Sequence, residues 1–269
     1  MEGTFSVVKS LHTMILRSLG AFAVVICLMP GTLQAQQPSA RQLPGRIAPQ
    51  ARQMLDRAIQ ALGGQAFLNA KSLTTKGRVF FFQDGATAGL EPFESYMLYP
   101  DKRRFSYGKT KPVVQIFNGD KAWELDRMGL MALSDREVQS WIRSNRYSIE
   151  NLFRLRINEP GVLIQVGKVD FVDNVATQGI EIIAPGGTSV RVDLHRQTFL
   201  PSRISYRVRN VQEEAWDDYS DAYSDYKTVA GIQTPMHITR YLNGDRIGET
   251  FRNSAQYNEV YPSNYFTAE

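Results

Sequence analysis

The chain has 269 residues, of which 43% are hydrophobic, and a formal charge of +4 at neutral pH. That hydrophobic share is ample for a packed core, and the mild positive charge lacks the clustered basic stripe that nucleic-acid binding needs. The single cysteine, Cys27, lies in a segment read below as a leader, so no disulfide staples the remainder.

Lys9 and Arg17 precede an apolar run from Leu19 to Leu28, and Met29-Pro30-Gly31 leads to Leu33-Gln34-Ala35. A basic start, a short apolar core and a small exit residue predict a secretory signal peptide over residues 1–35, cleaved after Ala35. The run is too short to span a bilayer as a helix. Met14 offers an alternative start to Met1, because 14–35 is by itself a complete signal. Cys27 follows the bulky Ile26 inside the apolar core, which argues against lipidation. Export would place the remainder, about +3 in charge, in the periplasm.

Residues 36–46 are polar, carry Pro38 and Pro44, and read as a flexible linker. Residues 47–269 read as one domain. Ile47, Ala51, Met54, Leu55, Ala58 and Leu62 recur at helical spacing, and Gly63-Gly64 supplies the stop. Residues 66–70 add a further turn.

Strands follow over 73–82, 92–98, 103–109, 113–117 and 121–126, with 83–91 read as a Gly/Ala-rich loop. Asn118-Gly119 predicts a type I′ hairpin, which needs positive φ at both central residues. Tyr99-Pro100-Asp101 breaks the preceding pair. Lys102-Arg103-Arg104, the one local basic cluster, reads as a solvated strand edge.

Ser134-Asp135-Arg136-Glu137 is a capping box, and Val138, Trp141 and Ile142 then share a helix face. Ser148 caps a second short helix carrying Ile149, Leu152 and Phe153 on one side. Two short amphipathic helices between strands must bury those faces, and the apolar side of the sheet is the surface available.

Strands resume over 162–166, 179–183, 189–194, 203–209, 215–228, 236–242 and 247–257, separated by marked turns such as Pro185-Gly186-Gly187 and Asn243-Gly244. Short connections imply an antiparallel meander. The fold class is therefore mainly β (α+β): an antiparallel, strongly curved, unclosed β-barrel with an N-terminal helix and short lid helices on its concave side.

The chain carries little catalytic equipment. His195 and His237 have no partner at metal-ligand spacing, and there is no nucleophile elbow, P-loop or dinucleotide fingerprint. No metal or cofactor is expected. Asp217, Asp218, Asp221 and Asp225 could suggest calcium or carboxylate catalysis. Their spacing is not an EF-hand loop, and an aromatic strand with solvated acids at one rim is the simpler reading. The chain reads as non-enzymatic. A carboxylate hydrolase would rest on those acids alone.

The order of elements resembles the LolA-like outer-membrane lipoprotein-sorting family. The likeness rests on Ala61-Leu62-Gly63-Gly64, on the break at Pro100 with Phe105 after it, and on Asn118-Gly119-Asp120-Lys121-Ala122-Trp123. It also rests on Leu200-Pro201, Asp225-Tyr226 with Gly231-Ile232 and Pro235, and the closing Asn258 and Tyr265-Phe266. The resemblance implies a half-barrel with a helical lid that holds acyl chains of a lipid or lipoprotein, with an inner- or outer-membrane protein as partner. In that family an Arg directly before the strand-break Pro latches the lid. Here the position is Tyr99, and Arg103 or Arg104 is left to take the role. An apolar hollow of this kind would be lined by Met97 (or Tyr96), Phe105, Tyr107, Ile116, Trp123, Trp141, Leu152 and Phe153, with Ile116 rather than Phe117 pointing inward. The competing reading is a non-catalytic envelope sensor or scaffold of the same fold, its aromatic face filled by its own lid and its partner a protein.

Overall fold

A computed structural model describes residues 46–210 and 213–268. The leader and most of the linker lie outside the described residues. Fourteen strands form one sheet in the order β1-β8-β9-β10-β11-β12-β13-β14-β2-β3-β4-β5-β6-β7. In chain order they are β1 (Arg46–Ile47), β2 (Ser72–Gln83), β3 (Ala86–Leu98), β4 (Lys102–Tyr107), β5 (Val113–Asn118), β6 (Lys121–Asp126) and β7 (Gly129–Ala132), followed by β8 (Leu163–Val172), β9 (Val175–Ile183), β10 (Ser189–His195), β11 (Pro201–Asn210), β12 (Ala215–Val229), β13 (Ile232–Leu242) and β14 (Asp245–Tyr257). Each neighbouring pair is antiparallel except β1 with β8. Among the described residues β1 and β7 are the two open edges, so the sheet is an unclosed, largely antiparallel barrel, as expected.

The helices are α1 (Pro49–Leu62), α2 (Gln65–Asn69), α3 (Asp135–Arg146) and α4 (Ile149–Arg154). Proline at its first position starts α1, because the missing N–H costs nothing there. Ile47, read as helical, instead pairs with Ile164 in β1, and Arg46 of the expected linker pairs with Leu163. The capping box of α3 is formed: Ser134 Oγ accepts from the Glu137 N–H, and the Glu137 carboxylate accepts from the Ser134 N–H at 2.9 Å. Ser148 caps α4 in the expected way.

Two turn readings are corrected. Asn118 is the last residue of β5 and pairs with Lys121, so the two-residue turn is Gly119-Asp120. Positive φ occurs at Gly119 (63°) and at neither Asn118 nor Asp120, which is the pattern of a type II′ turn with glycine first. The segment 83–91 is not a loop: Asp84-Gly85 alone makes the turn, and β3 already runs from Ala86. Likewise Asp173-Asn174 is a tight turn between β8 and β9, both longer than expected, and β7 was not anticipated.

The seam of the barrel joins β14 to β2. A bulge between Arg252 and Ser254 presses backbone against Gly77, where a Cβ would lie 1.9 Å from the Phe251 carbonyl oxygen. Glycine at this point lets the bulge bend the sheet.

Candidate functional site

Side chains alternate across each strand, so the register decides which residues face inward. Val192 of β10 lies opposite Ile204 of β11, and Ile204 opposite Asp221 of β12. On the far side of the seam Arg103 of β4 lies opposite Phe117 of β5, and Phe117 opposite Ala122 of β6. These positions share one concave face, but its two halves differ.

Over β8–β11 the concave face is aliphatic and filled. Ala51, Leu55 and Ala58 of α1 are fully buried against Ile164, Ile180, Val192 and Ile204, which are at most 1% exposed. Each such side chain contributes roughly 1.5–3 kcal/mol by leaving water. Leu152 and Phe153 of α4 belong to this core, each at 1% exposure. They were expected in the hollow and instead belong to this packed half.

Over β2–β5 and β12–β14 the same face is not filled. A cavity of about 500 Å³ lies between these strands and α3. Its walls carry Val79, Phe93, Met97, Phe105, Phe117, Tyr223 and Ile238, with Trp141 and Ile149 coming from the lid helices. Ile149 also touches the aliphatic core, so α4 forms the partition between the halves. Trp141 stacks on Phe117 with ring centroids 4.5 Å apart, within a cluster that includes Val138 and Met97.

Of the residues predicted to line the hollow, Met97, Phe105 and Trp141 do so. Tyr107 shares their face at the rim, its ring 5.7 Å from Phe105 and 5.9 Å from Phe81, and burial raises the pKa of its hydroxyl. Ile116 and Trp123 are paired across β5 and β6 and face the convex side. There Ile116 packs with Val114 and Phe266, and Trp123 lies against them. The expectation for both is overturned. What seats them is the segment after β14: the Phe266 carbonyl accepts from Asn118 Nδ2 at 3.3 Å, and Tyr96 meets Tyr261 and Tyr265 edge-on. Phe117 is the inward residue of the pair. Strand alternation combined with the position of Phe105 would have found Phe93, but the inward face of β5 depends on a register that the sequence does not print.

The hollow is also more polar than expected. Asp221 faces inward and takes Arg240 in a two-pronged ion pair at 2.8 and 2.9 Å. It is therefore not a solvated rim acid. Asp218 pairs with Arg207 on the surface, Asp217 accepts from Asn210 and Asn243, and Asp225 meets Lys227. The acids are spread among separate partners, and no metal-ligating cluster occurs among the described residues. Arg103 is on an interior strand, not an edge, and enters the hollow. Its guanidinium lies 4.4 Å from the Phe105 ring centre and 5.9 Å from that of Trp141, and its Nε donates to Ser95 Oγ at 3.1 Å. Burial and the neighbouring Arg240 and Arg252 push its pKa down to about 9.

The lid is fastened at Pro100. Its carbonyl accepts from Asn145 Nδ2 of α3 at 2.9 Å and from Asn151 Nδ2 of α4 at 2.8 Å. Asn151 also donates to the Asn145 carbonyl, and both side chains are buried. Arg154 of α4 stands over the Tyr99 ring at 4.5 Å and over Phe67 at 4.7 Å. The cation thus comes from the lid and the aromatic ring from the strand break. Arg104, one of the two residues expected to latch the lid, turns away to Tyr265.

Ser224, His237 and Glu249 form a hydrogen-bonded row, with Ser224 Oγ 3.0 Å from His237 Nδ1 and Glu249 Oε1 2.8 Å from Nε2. Ser224 and His237 are directly paired across β12 and β13, one position from the inward Tyr223 and Ile238. They therefore lie on the convex face, outside the hollow. His195 Nδ1 accepts from the amides of Gln197 and Thr198, which is a turn-capping role.

No family model matches the sequence, and no curated protein matches it. Solved structures do. A domain from Vibrio parahaemolyticus named for outer membrane lipoprotein sorting aligns at 12% identity and TM-score 0.51, over 81% of this chain and 97% of its own. A DUF1329 family protein from Desulfovibrio piger aligns at 11% identity and TM-score 0.54, over 80% and 96%. A LolA superfamily protein from Nitrosomonas europaea gives 13% identity and TM-score 0.48, over 81% and 97%. At such identities the likeness is one of fold, and the half-barrel resemblance read from the sequence is borne out at that level.

Proposed function

We propose that this chain, with the fold of lipoprotein-sorting domains, is a periplasmic carrier that holds the acyl chains of a lipid or lipidated protein in its hollow. The observation that carries the reading is the cavity of about 500 Å³ between the aromatic concave face and the Trp141 lid, beside a half of the same face that is fully packed. Its volume falls in the range of small-molecule sites, which run to roughly 300–1,000 Å³. Each methylene moved from water into such a space gains about 0.8 kcal/mol. The signal-like leader supports export, and the name of the Vibrio parahaemolyticus domain supports a role in lipoprotein traffic. No helix among the described residues is long and apolar enough to cross a membrane. The reading involves no catalysis. Native mass spectrometry of protein purified from its own envelope should show co-purifying lipid, and a fluorescent fatty acid should enter the emptied protein. Failure of both removes the carrier reading.

The second reading, an envelope sensor or scaffold, draws support from the β6–β7 hairpin. Leu125, Met128, Leu130 and Met131 are exposed there, beside a strand edge that pairs with no strand among the described residues. Such an edge can accept a partner's strand. A pull-down that yields one stoichiometric protein partner and no lipid would favour it.

A further inference from the structure

The hollow contains a cation that no acid among the described residues neutralises. Arg103 has no carboxylate partner among the described residues; its one polar side-chain contact is the Ser95 hydroxyl, made through Nε. Its two terminal amino groups are therefore uncommitted. A guanidinium remains charged at any physiological pH, and an unpaired charge in a partly desolvated space is costly. The nearest charges make this worse. Arg240 is already consumed by Asp221, and Arg252 spends Nη1 on the Pro235 carbonyl at 2.9 Å while its buried Nε has no partner. Glu137, Glu150 and Glu249 also line the hollow, but Glu137 is held by Ser134 in the helix cap, Glu249 is held by His237 and Arg246, and Glu150 does not pair with Arg103. Several arginines in this chain are matched by acids: Arg191 and Arg203 share the buried Asp193, and Arg207 is clasped by Asp218, whereas Arg154 of the lid stands over Tyr99 and Phe67 and donates to the Ala70 carbonyl, outside the hollow. The Arg103 guanidinium instead lies over the rings of Phe105 and Trp141 and lines the cavity.

We infer that Arg103 receives the anionic terminus of an amphiphile whose chain occupies the aromatic part of the hollow, with Arg252 as the second cation facing that end. This rests on the carrier reading and deepens it by naming a charged end for the ligand. The shared chemistry is a carboxylate or phosphate attached to an alkyl chain, as in a free fatty acid or a lysophospholipid of the phosphatidic type. Arginine suits both, because its planar fork matches two oxygens at once.

The test uses the purified, delipidated protein and three probes of equal chain length: a fatty acid, the corresponding fatty alcohol and a lysophosphatidic acid. Displacement of a fluorescent fatty acid reads each affinity. The acid or the phosphate should bind at least about tenfold tighter than the alcohol, the factor expected from one charge-assisted hydrogen bond. Arg103→Gln should erase that preference, while Arg103→Lys should keep part of it. Which anion shows the larger preference identifies the source of the headgroup. Equal binding of acid, phosphate and alcohol by the unmodified protein overturns the inference and leaves the carrier reading standing. Binding of none of them overturns both. A preference that survives Arg103→Gln also overturns it. Thermal melting of Arg103→Gln guards against misfolding: loss of an unpaired charge should leave the lipid-free midpoint unchanged or raised, whereas a lid-bracing role for Arg103 would lower it.

Discussion

One concave face serves two purposes in this protein, and the division is chemical. Over β8–β11 it presents Ile, Val and Leu to an amphipathic helix, and these side chains are buried there. Over β2–β5 it presents Phe, Met, Ser and Arg to a shorter helix, and a cavity remains. Branched aliphatic side chains with few rotamers interlock at crystal-like density. Large flat rings with interspersed polar groups leave gaps that a flexible chain can enter. The contrast shows that an inward-facing apolar strand does not by itself identify a binding surface; what covers it decides.

The comparison breaks most visibly through truncation. Leu55→Ala, in the filled half and fully buried, should cost about 2–5 kcal/mol in a urea melt, because the helix cannot collapse into the space. Next comes the lid fastening. Asn151→Ala leaves the Pro100 carbonyl and Asn145 short of a donor, and should cost roughly 1–3 kcal/mol. Hydrogen exchange should quicken across α3 and α4 and stay slow in α1. Met97→Ala and Phe105→Ala, on the walls of the hollow, should each cost less than about 1 kcal/mol, because they already border open space. Both should still sharply reduce uptake of a fluorescent fatty acid. If Phe105→Ala destabilises as much as Leu55→Ala, the two halves are not distinct.

The smallest effect expected is electrostatic. Lys76 donates to Glu94 at 2.7 Å, and this bond, followed by the one from Tyr96, holds the Glu94 carboxyl below its usual range. A depressed carboxyl stabilises the fold above its unfolded pKa and loses that contribution as pH falls through the folded value. Both side chains are about half exposed, so Glu94→Gln should remove only a few tenths of a kcal/mol, and only above about pH 4. Melts of the two proteins should converge at lower pH.

Much of the fold was legible because its signals are local. The capping box at Ser134, the Gly63-Gly64 stop and the Asn243-Gly244 turn depend on a few adjacent residues, and each stands where it was expected. The site was less legible because it depends on facing. Alternation separates Ile116 from Phe117 but does not say which is inside. That was settled by the Arg103–Phe117 register and by the tail carrying Phe266, which covers the other face. Leu152 and Phe153 have the right composition for a hollow and lie in the packed half, because α4 sits on the partition. Arg103 was hidden in a basic triplet that looks like an edge. Its neighbours Lys102 and Arg104 do point outward, and only strand parity separates it from them.

The seam between β14 and β2 sets a timetable. Its partners lie roughly 170 residues apart along the chain, so the closing contact is among the most distant the sequence makes and the slowest to find. Until β14 arrives, β2 has a free edge and the cavity lacks the wall that carries Thr250 and Arg252. A chain emerging N-terminus first therefore exposes Phe80, Phe81 and Phe93 on an unfinished surface before it has any compartment to offer a guest. For a carrier, as proposed above, loading belongs after the final strand has docked.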